Sequence, residues 1–286
     1  MQTITSESKG MVVVTRPPSP SIAACELTYM SRTKIDFEKL AEQHAAYMNV
    51  LRYLGLTVVS LPAQPALADA VFVEDTAVVL DEIALISSPC RSRKPELASV
   101  HPVLESYRKV IFMPSSDQLE GGDVIRNGNT IYVGQSTRTN NHGLETLRAV
   151  AGPLGYTVIG VPILHCLHLS TAASYLGDDT FLVNPRWIDK TVFAGYRVIE
   201  VAEDEPWAAN VLSVAGTVIT PAGFPRTRQL MTQAGFNVRA VDLSELLKAE
   251  AGVTCMGLLF PAEPETKNFL EEETEADAEL LPQLQD

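Results

Sequence analysis

Asp123-Val124-Ile125-Arg126-Asn127-Gly128-Asn129-Thr130-Ile131-Tyr132-Val133 is the stretch that decides how this chain is read. Two short runs rich in β-branched and aromatic residues flank Asn-Gly-Asn. That is a hairpin signal, because these turn residues tolerate the positive φ that tight turns demand. A helical segment at 141–154 follows, and then a strand-like segment at 156–161. The same rhythm of strand, strand, helix, strand recurs along the chain roughly every 40 to 60 residues. It implies stacked supersecondary units rather than one doubly wound sheet. No GxGxxG or GxxxxGK[ST] is present, so dinucleotide-binding and P-loop readings lose their main support. At this level the architecture is α/β with repeats.

Working outward, residues 11–15 read as a buried strand that stops at Pro17-Pro18, and residues 19–33 as a long loop able to act as a lid. Asp36 caps a helix whose Phe37, Leu40, Ala41, His44, Met48 and Leu51 share one face, and Gly55 ends it. His44 lies on that apolar stripe and reads as structural. Further strands are expected at 56–61, 71–73, 77–80, 83–87, 109–113, 164–169, 181–184, 197–201, 211–213, 217–220, 236–240 and 256–260. Helices are expected from Pro95 to about residue 107, from Pro225 to Gly235, and over 243–250.

The 286 residues, 46% of them hydrophobic, suffice for a sizeable core. Four cysteines without paired spacing argue against a disulfide framework and a zinc site. The first ten residues lack a signal peptide's apolar segment, and no apolar run approaches bilayer length, so a cytoplasmic protein is expected. The net charge of -13 disfavours nucleic acid or an anionic membrane as partner. Much of it is local, since residues 261–286 hold nine acids against one Lys. The expected organisation is an extension at 1–10, a folded unit at 11–260 and an acidic tail at 261–286.

Four clusters carry chemistry, each with a plain structural reading beside the functional one. Asp69 with Phe72-Val73-Glu74-Asp75 places three carboxylates within seven residues, a field that favours a cation such as guanidinium. Glu120-Gly121-Gly122-Asp123 sets two acids around glycines that leave room beside them, or is a glycine turn. His168 sits between Leu167 and Leu169, at the expected end of a strand, where a satisfied core histidine is the plain reading. Cys255 lies in Val253-Thr254-Cys255-Met256-Gly257-Leu258-Leu259-Phe260, after Ala251-Gly252 and leading an apolar run. A buried structural cysteine is its plain reading. Together they offer a thiol nucleophile, a His acid/base, an orienting Glu and a carboxylate trap. A thiol protease would leave the acidic cluster unexplained, whereas a guanidinium carbon needs carboxylates to hold it while a soft nucleophile attacks.

At these residues the chain resembles the guanidino-group-modifying superfamily of arginine deiminases, amidinotransferases and dimethylarginine dimethylaminohydrolases, and most closely the short bacterial dimethylargininases. The likeness runs through Asp69…Phe72-Val73-Glu74-Asp75, Ser92-Arg93-Lys94-Pro95-Glu96 and Glu120-Gly121-Gly122-Asp123. It continues through Ser136-Thr137-Arg138-Thr139-Asn140, Leu167-His168-Leu169, Ala208-Ala209-Asn210, Pro221-Ala222-Gly223-Phe224-Pro225-Arg226-Thr227-Arg228 and Gly252-Val253-Thr254-Cys255-Met256. It covers about residues 11 to 260. Lys94 stands where a second Arg is common, and Ser170-Thr171-Ala172 departs from the usual basic, glycine-containing stretch.

The resemblance implies a five-bladed α/β propeller of ββαβ-like repeats around a central active site (the pentein fold). It implies Cys255 as nucleophile, His168 as proton donor and base, and Glu120 as the group that orients them. Asp69, Glu74 and Asp75 would bind guanidinium and amine, and Arg93 and Arg138 the substrate's carboxylate. Leu27 would be a lid leucine, and Ala249 would offer a backbone carbonyl. The implied reaction hydrolyses N-ω-methylated arginine to citrulline and an alkylamine through a Cys thiouronium. It needs no metal or organic cofactor, and the family suggests a homodimer. The alternatives are an arginine deiminase-like hydrolase of another guanidine, and a non-catalytic propeller that only binds.

Overall fold

The computed structural model describes residues 10–263; the expected N-terminal extension and acidic tail lie outside them, apart from Gly10 and residues 261–263. Strand β1 (Met11–Thr15) is followed by helix α1 (Phe37–Tyr53) and strand β2 (Thr57–Ser60). Asp36 caps α1 by accepting from the Lys39 N–H, which satisfies one of the free N–H groups of its first turn. The buried face of α1 carries Leu40, His44, Tyr47, Met48 and Leu51. Each large apolar side chain buried there contributes about 1.5–3 kcal/mol. His44 faces the Thr15 hydroxyl at 3.2 Å, and burial pushes its pKa down to about 4, so it is the structural histidine expected.

Four units of one design follow. The first is β3 (Ala77–Val79), β4 (Ile83–Ile86), α2 (Leu97–Glu105) and β5 (Lys109–Phe112). The second is β6 (Val124–Asn127), β7 (Thr130–Gln135), α3 (Asn141–Ala151) and β8 (Thr157–Pro162). The short helix α4 (Leu169–Ala172) leads into the third, β9 (Ala173–Gly177), β10 (Thr180–Val183) and β11 (Arg197–Glu200). The fourth is β12 (Leu212–Val214), β13 (Thr217–Pro221), α5 (Pro225–Gln233) and β14 (Val238–Val241). In each, an antiparallel hairpin is joined by a parallel third strand.

The fifth sheet closes the ring. Strand β15 (Gly257–Pro261) pairs antiparallel with β1, Met11 opposite Pro261 and Thr15 opposite Gly257, while β1 runs parallel to β2. The last strand thus supplies the missing first strand of the β1–α1–β2 unit, which makes five blades of one pattern.

The middle strand of each blade is apolar on both faces because each face meets a different neighbour. Val13 of β1 joins one core cluster with Ile219 of β13, and Val12 and Val14 join another with Ala84 and Ile86 of β4. Leu85 packs with Ile131 and Val133, Tyr132 with Phe181, and Leu182 with Val218. Each of these clusters fills the space between adjacent blades, and such double-sided burial makes a strand read as a continuous apolar run.

The helix expected over 243–250 is only a 3-10 helix, Leu246–Ala249, and three strand expectations change as well. Residues 71–73 form no strand but turn into a 3-10 helix, Val73–Thr76. Residues 164–169 form a loop, not a strand, with His165 at φ 58, and the real strand is β9, further on. The final strand begins at Gly257, so Cys255 sits in the turn before it. Val71 and Phe72 are buried against the α1 core from a turn, whereas Leu164 is exposed, so apolar composition alone does not imply a ladder. Among the described residues, no helix is long and apolar enough to cross a membrane.

The blades' leading loops touch at Gly121, where an added Cβ would lie 2.0 Å from the Glu74 carbonyl oxygen and 2.9 Å from that of Ala77. Gly121→Ala should therefore destabilise by about 3 kcal/mol, since backbone must move to admit the methyl. Gly152→Ala, with nothing within 4 Å of the added Cβ, is the control and should stay within about 0.5 kcal/mol. Urea unfolding of both variants checks this; equal midpoints would refute the contact.

Candidate active site

The first strand of each blade, β3, β6, β9, β12 or β15, contributes to the wall of a channel along the ring's axis. The loops that enter these strands carry the polar side chains to one end of it. Glu74 and Asp75 precede β3, Glu120 and Asp123 precede β6, His168 precedes β9, Asn210 precedes β12 and Cys255 precedes β15. One position per blade, repeated around the ring, assembles a site from residues far apart in sequence.

His168 is buried, and its Nε2 lies 2.8 Å from Glu120 Oε2 and 3.9 Å from Asp75 Oδ1. Burial lowers its pKa, but Asp75 and the Glu120 hydrogen bond outweigh it and push the imidazole up to about 10. It is therefore a charged acid in the free protein at neutral pH. Asp123 fixes the loop by accepting from the Leu169 N–H at 3.0 Å and from the Thr139 hydroxyl at 2.7 Å. Gly122 donates its N–H to Asp75 and leaves no room for a Cβ, which would lie 2.7 Å from His168 Nδ1.

Cys255 is half-buried in the turn before β15, and the Gly252 N–H points at its sulfur at 3.3 Å. Burial raises the thiol's pKa, and the Glu74 and Asp75 carboxylates raise it further, well above its ordinary value. Glu74 accepts from the Thr254 hydroxyl at 2.9 Å, and its backbone N–H donates to the Cys255 carbonyl. Burial, helped by Asp75, lifts Glu74 to about 8, and burial lifts Asp69 to about 6. Asn210 holds the thiol's turn: its amide donates to Thr254 Oγ1 and to the Ser170 carbonyl, and its oxygen accepts from the Thr254 N–H.

The cleft above this end is lined by Asp69, Asp75, Arg93, Glu120, Arg138, His168, Ala249 and Cys255, all named by the sequence. Two named residues stand apart. Glu74 faces the axial channel beside Thr254, and Leu27 packs against the core of α1 instead of lining the cleft. Arg93 also lines the cleft, and its contacts are with the protein's own groups. Its guanidinium bonds Asp75, both oxygens of Glu96 and the carbonyls of Asp69 and Phe72, so it balances buried acids and is not an open clamp. The departure at Lys94 has no bearing on the cleft, because Lys94 is exposed on the outer side of that turn. Arg138 does face the cleft, 3.6 Å from Glu120 and 3.0 Å from Glu26.

Sequence reasoning missed Glu26, Cys90, Asn210 and Glu250. Asn210 lay within a quoted stretch, and the others carried no local signal. Glu250, at φ 56, accepts from the backbone N–H groups of Thr28, Tyr29 and Met30 and so ties down the lid loop. Asp75, Glu120 and His168 present atoms within 4.8 Å of one another, a spacing that could admit a cation. Asp75 is already paired with Arg93 and the imidazole is held protonated, so a metal ion would have to displace both.

A family model described as N,N dimethylarginine dimethylhydrolase, eukaryotic, matches residues 27–256. The N(G),N(G)-dimethylarginine dimethylaminohydrolase of Pseudomonas aeruginosa is 33% identical over 251 residues, spanning 87% of this chain and 98% of that protein. The Streptomyces coelicolor protein of the same name is 34% identical, spanning 85% and 94%. A solved structure of the Pseudomonas aeruginosa enzyme, a cysteine-to-serine mutant complexed with citrulline, superposes with a TM-score of 0.83 at 32% identity. It covers 87% of this chain and 98% of its own. Fold, site and sequence agree: the chain belongs to the dimethylarginine dimethylaminohydrolase family.

Proposed function

We propose that this protein hydrolyses N-ω-methylated L-arginine to L-citrulline and dimethylamine or methylamine, through a covalent thiouronium on Cys255. The observation that carries this reading is a thiol and a protonated His168 held by Glu120, set among more buried carboxylates than the protein's own cations balance. A cationic guanidinium completes that balance, which a neutral amide would not do. The solved Pseudomonas aeruginosa complex with citrulline supports the same product.

The guanidinium lies against Asp75 and Glu120, with Glu74 beneath. Its charge offsets the carboxylates that hold the thiol protonated, so Cys255 ionises on binding and releases its proton to solvent. The sulfur's electron pair then forms the S–C bond, and one C=N pair moves onto nitrogen. The tetrahedral adduct collapses as the C–N bond to the alkylamine breaks and His168 donates its proton to the leaving nitrogen. Neutral imidazole next takes a proton from water, which attacks the thiouronium carbon. The C–S bond breaks, and citrulline leaves with the thiolate restored. Glu120 keeps the ring in place through both proton transfers.

In this reading Arg138 meets the α-carboxylate and Asp69 the α-ammonium, Ala249 offers its carbonyl, and Leu27 belongs to the loop closing over the substrate. Arg93 acts through Asp75. A homodimer is the assembly the family suggests; gel filtration at twice 31.1 kDa is the expected outcome and a 31.1 kDa peak would refute it.

Citrulline release from asymmetric dimethylarginine, monomethylarginine and arginine tests the function. Methylated substrates should turn over, and Cys255→Ser should lose at least about a thousandfold. Turnover of arginine alone would make the protein a deiminase, and a folded protein inactive on all three would mean another guanidine or a binding role.

The thiol's environment predicts a pH profile. A raised pKa means the protonated form persists to higher pH, so iodoacetamide should alkylate Cys255 with a midpoint above the ordinary value of about 8.5. A saturating methylarginine analogue that cannot react should lower that midpoint. A free-protein midpoint at or below about 8.5 would contradict the carboxylate field.

A further inference from the structure

Glu26 lies outside every motif above, yet its side chain reaches the mouth of the cleft. Its carboxylate lies 3.0 Å from Arg138 Nη1, accepts from the Ser92 hydroxyl at 2.5 Å, and lies 3.7 Å from Cys90 Sγ. Its own backbone N–H donates to Asp69, the acid assigned to the substrate's ammonium. The segment beyond it is pinned by Glu250 through the N–H groups of Thr28, Tyr29 and Met30. The backbone is therefore fixed, while the Glu26 side chain, 41% exposed, has space to swing.

We infer that Glu26 sets selectivity for the substrate's head group by competing with it: its carboxylate occupies Arg138 in the empty cleft and must leave before an α-carboxylate can bind. This rests on the assignment of Arg138 to the α-carboxylate. Two carboxylates already flank that guanidinium, Glu120 at 3.6 Å and Glu26 at 3.0 Å. Glu120 is buried and bonded to His168, so it is not free to move, whereas Glu26 is the partner that can. An incoming α-carboxylate replaces it one for one, and the broken ion pair subtracts from substrate affinity. A ligand with the same guanidine but no carboxylate leaves Glu26 in place and does not suffer this loss.

The test is steady-state kinetics of the full chain and of Glu26→Gln and Glu26→Ala, on asymmetric dimethylarginine and on its decarboxylated counterpart. For the amino acid, KM should fall about three- to fivefold in Glu26→Ala, the size of a half-exposed ion pair, with no comparable rise in kcat. Glu26→Gln should fall in the same direction by less, because an amide oxygen still accepts from Arg138. For the decarboxylated compound, KM should stay level or rise. An unchanged or raised KM for the amino acid, or an equal fall for both compounds, overturns the inference.

A second readout does not depend on turnover: calorimetric binding of arginine to Cys255→Ser, with and without Glu26→Ala, should tighten three- to fivefold on removal of Glu26. Methylarginine turnover with no such tightening sinks the role of Glu26 and leaves the proposed function standing. Absence of both turnover and binding sinks both.

Discussion

A ring of carboxylates held away from water is the constraint on which this site depends. Glu120 and Asp123 are almost wholly buried, Asp75 nearly so, and Asp69 and Glu74 are enclosed beside them. Buried negative charge is strongly unfavourable unless it is paired, hydrogen-bonded or neutralised by a proton. The protein uses all three remedies. Arg93 pairs with both Asp75 and Glu96, three donors hold Asp123, and Glu74 retains its proton to about pH 8. The charged His168 belongs to the same balance. What remains uncompensated is felt by Cys255, whose thiol is held neutral. Under the proposed mechanism, such a site keeps the Cys255 thiol quiet until a cationic substrate arrives, which couples activation to recognition.

The propeller makes this arrangement affordable in geometric terms. Each blade sends one loop to the same end of the axis, and each loop feeds directly into an inner strand. The side chains there are aimed by five rigid sheets instead of one flexible segment. Closure of β15 onto β1 then fixes the distance between the thiol turn and the Glu74 loop, and the two are joined again by the Glu74 N–H to the Cys255 carbonyl. The glycines at 121 and 122 are consequences of the same crowding, since neighbouring loops pass too close there for a side chain.

Much of this was legible in the sequence. The hairpin at Asn127-Gly128-Asn129, the cap at Asp36 and the recurring helix signals gave the repeat, because turn and cap chemistry is local. His168, Glu120 and Cys255 were legible as a set through resemblance and through the chemistry they share. Loops rich in apolar residues were not. Residues 71–73 and 164–169 have the composition of strands, but their backbone bends and makes no ladder, and periodicity cannot separate the two. The protein partners of Arg93 were hidden for a similar reason: only the fold shows that Glu96, one turn on, and Asp75, from another loop, meet its guanidinium. Glu26 and Glu250 stayed hidden because their partners lie 112 and more than 200 residues away or in a different blade, with no motif to link them.

The central claim is that Cys255 forms a covalent bond to the guanidine carbon while His168 manages the protons. Intact-protein mass spectrometry of samples acid-quenched during turnover of dimethylarginine tests it most directly. The account predicts a single adduct carrying the amino acid without its alkylamine, localised by peptide mapping to Cys255, absent from Cys255→Ser. Steady turnover with no adduct on any quenching time, or an adduct on Cys25, Cys90 or Cys166 instead, would contradict it.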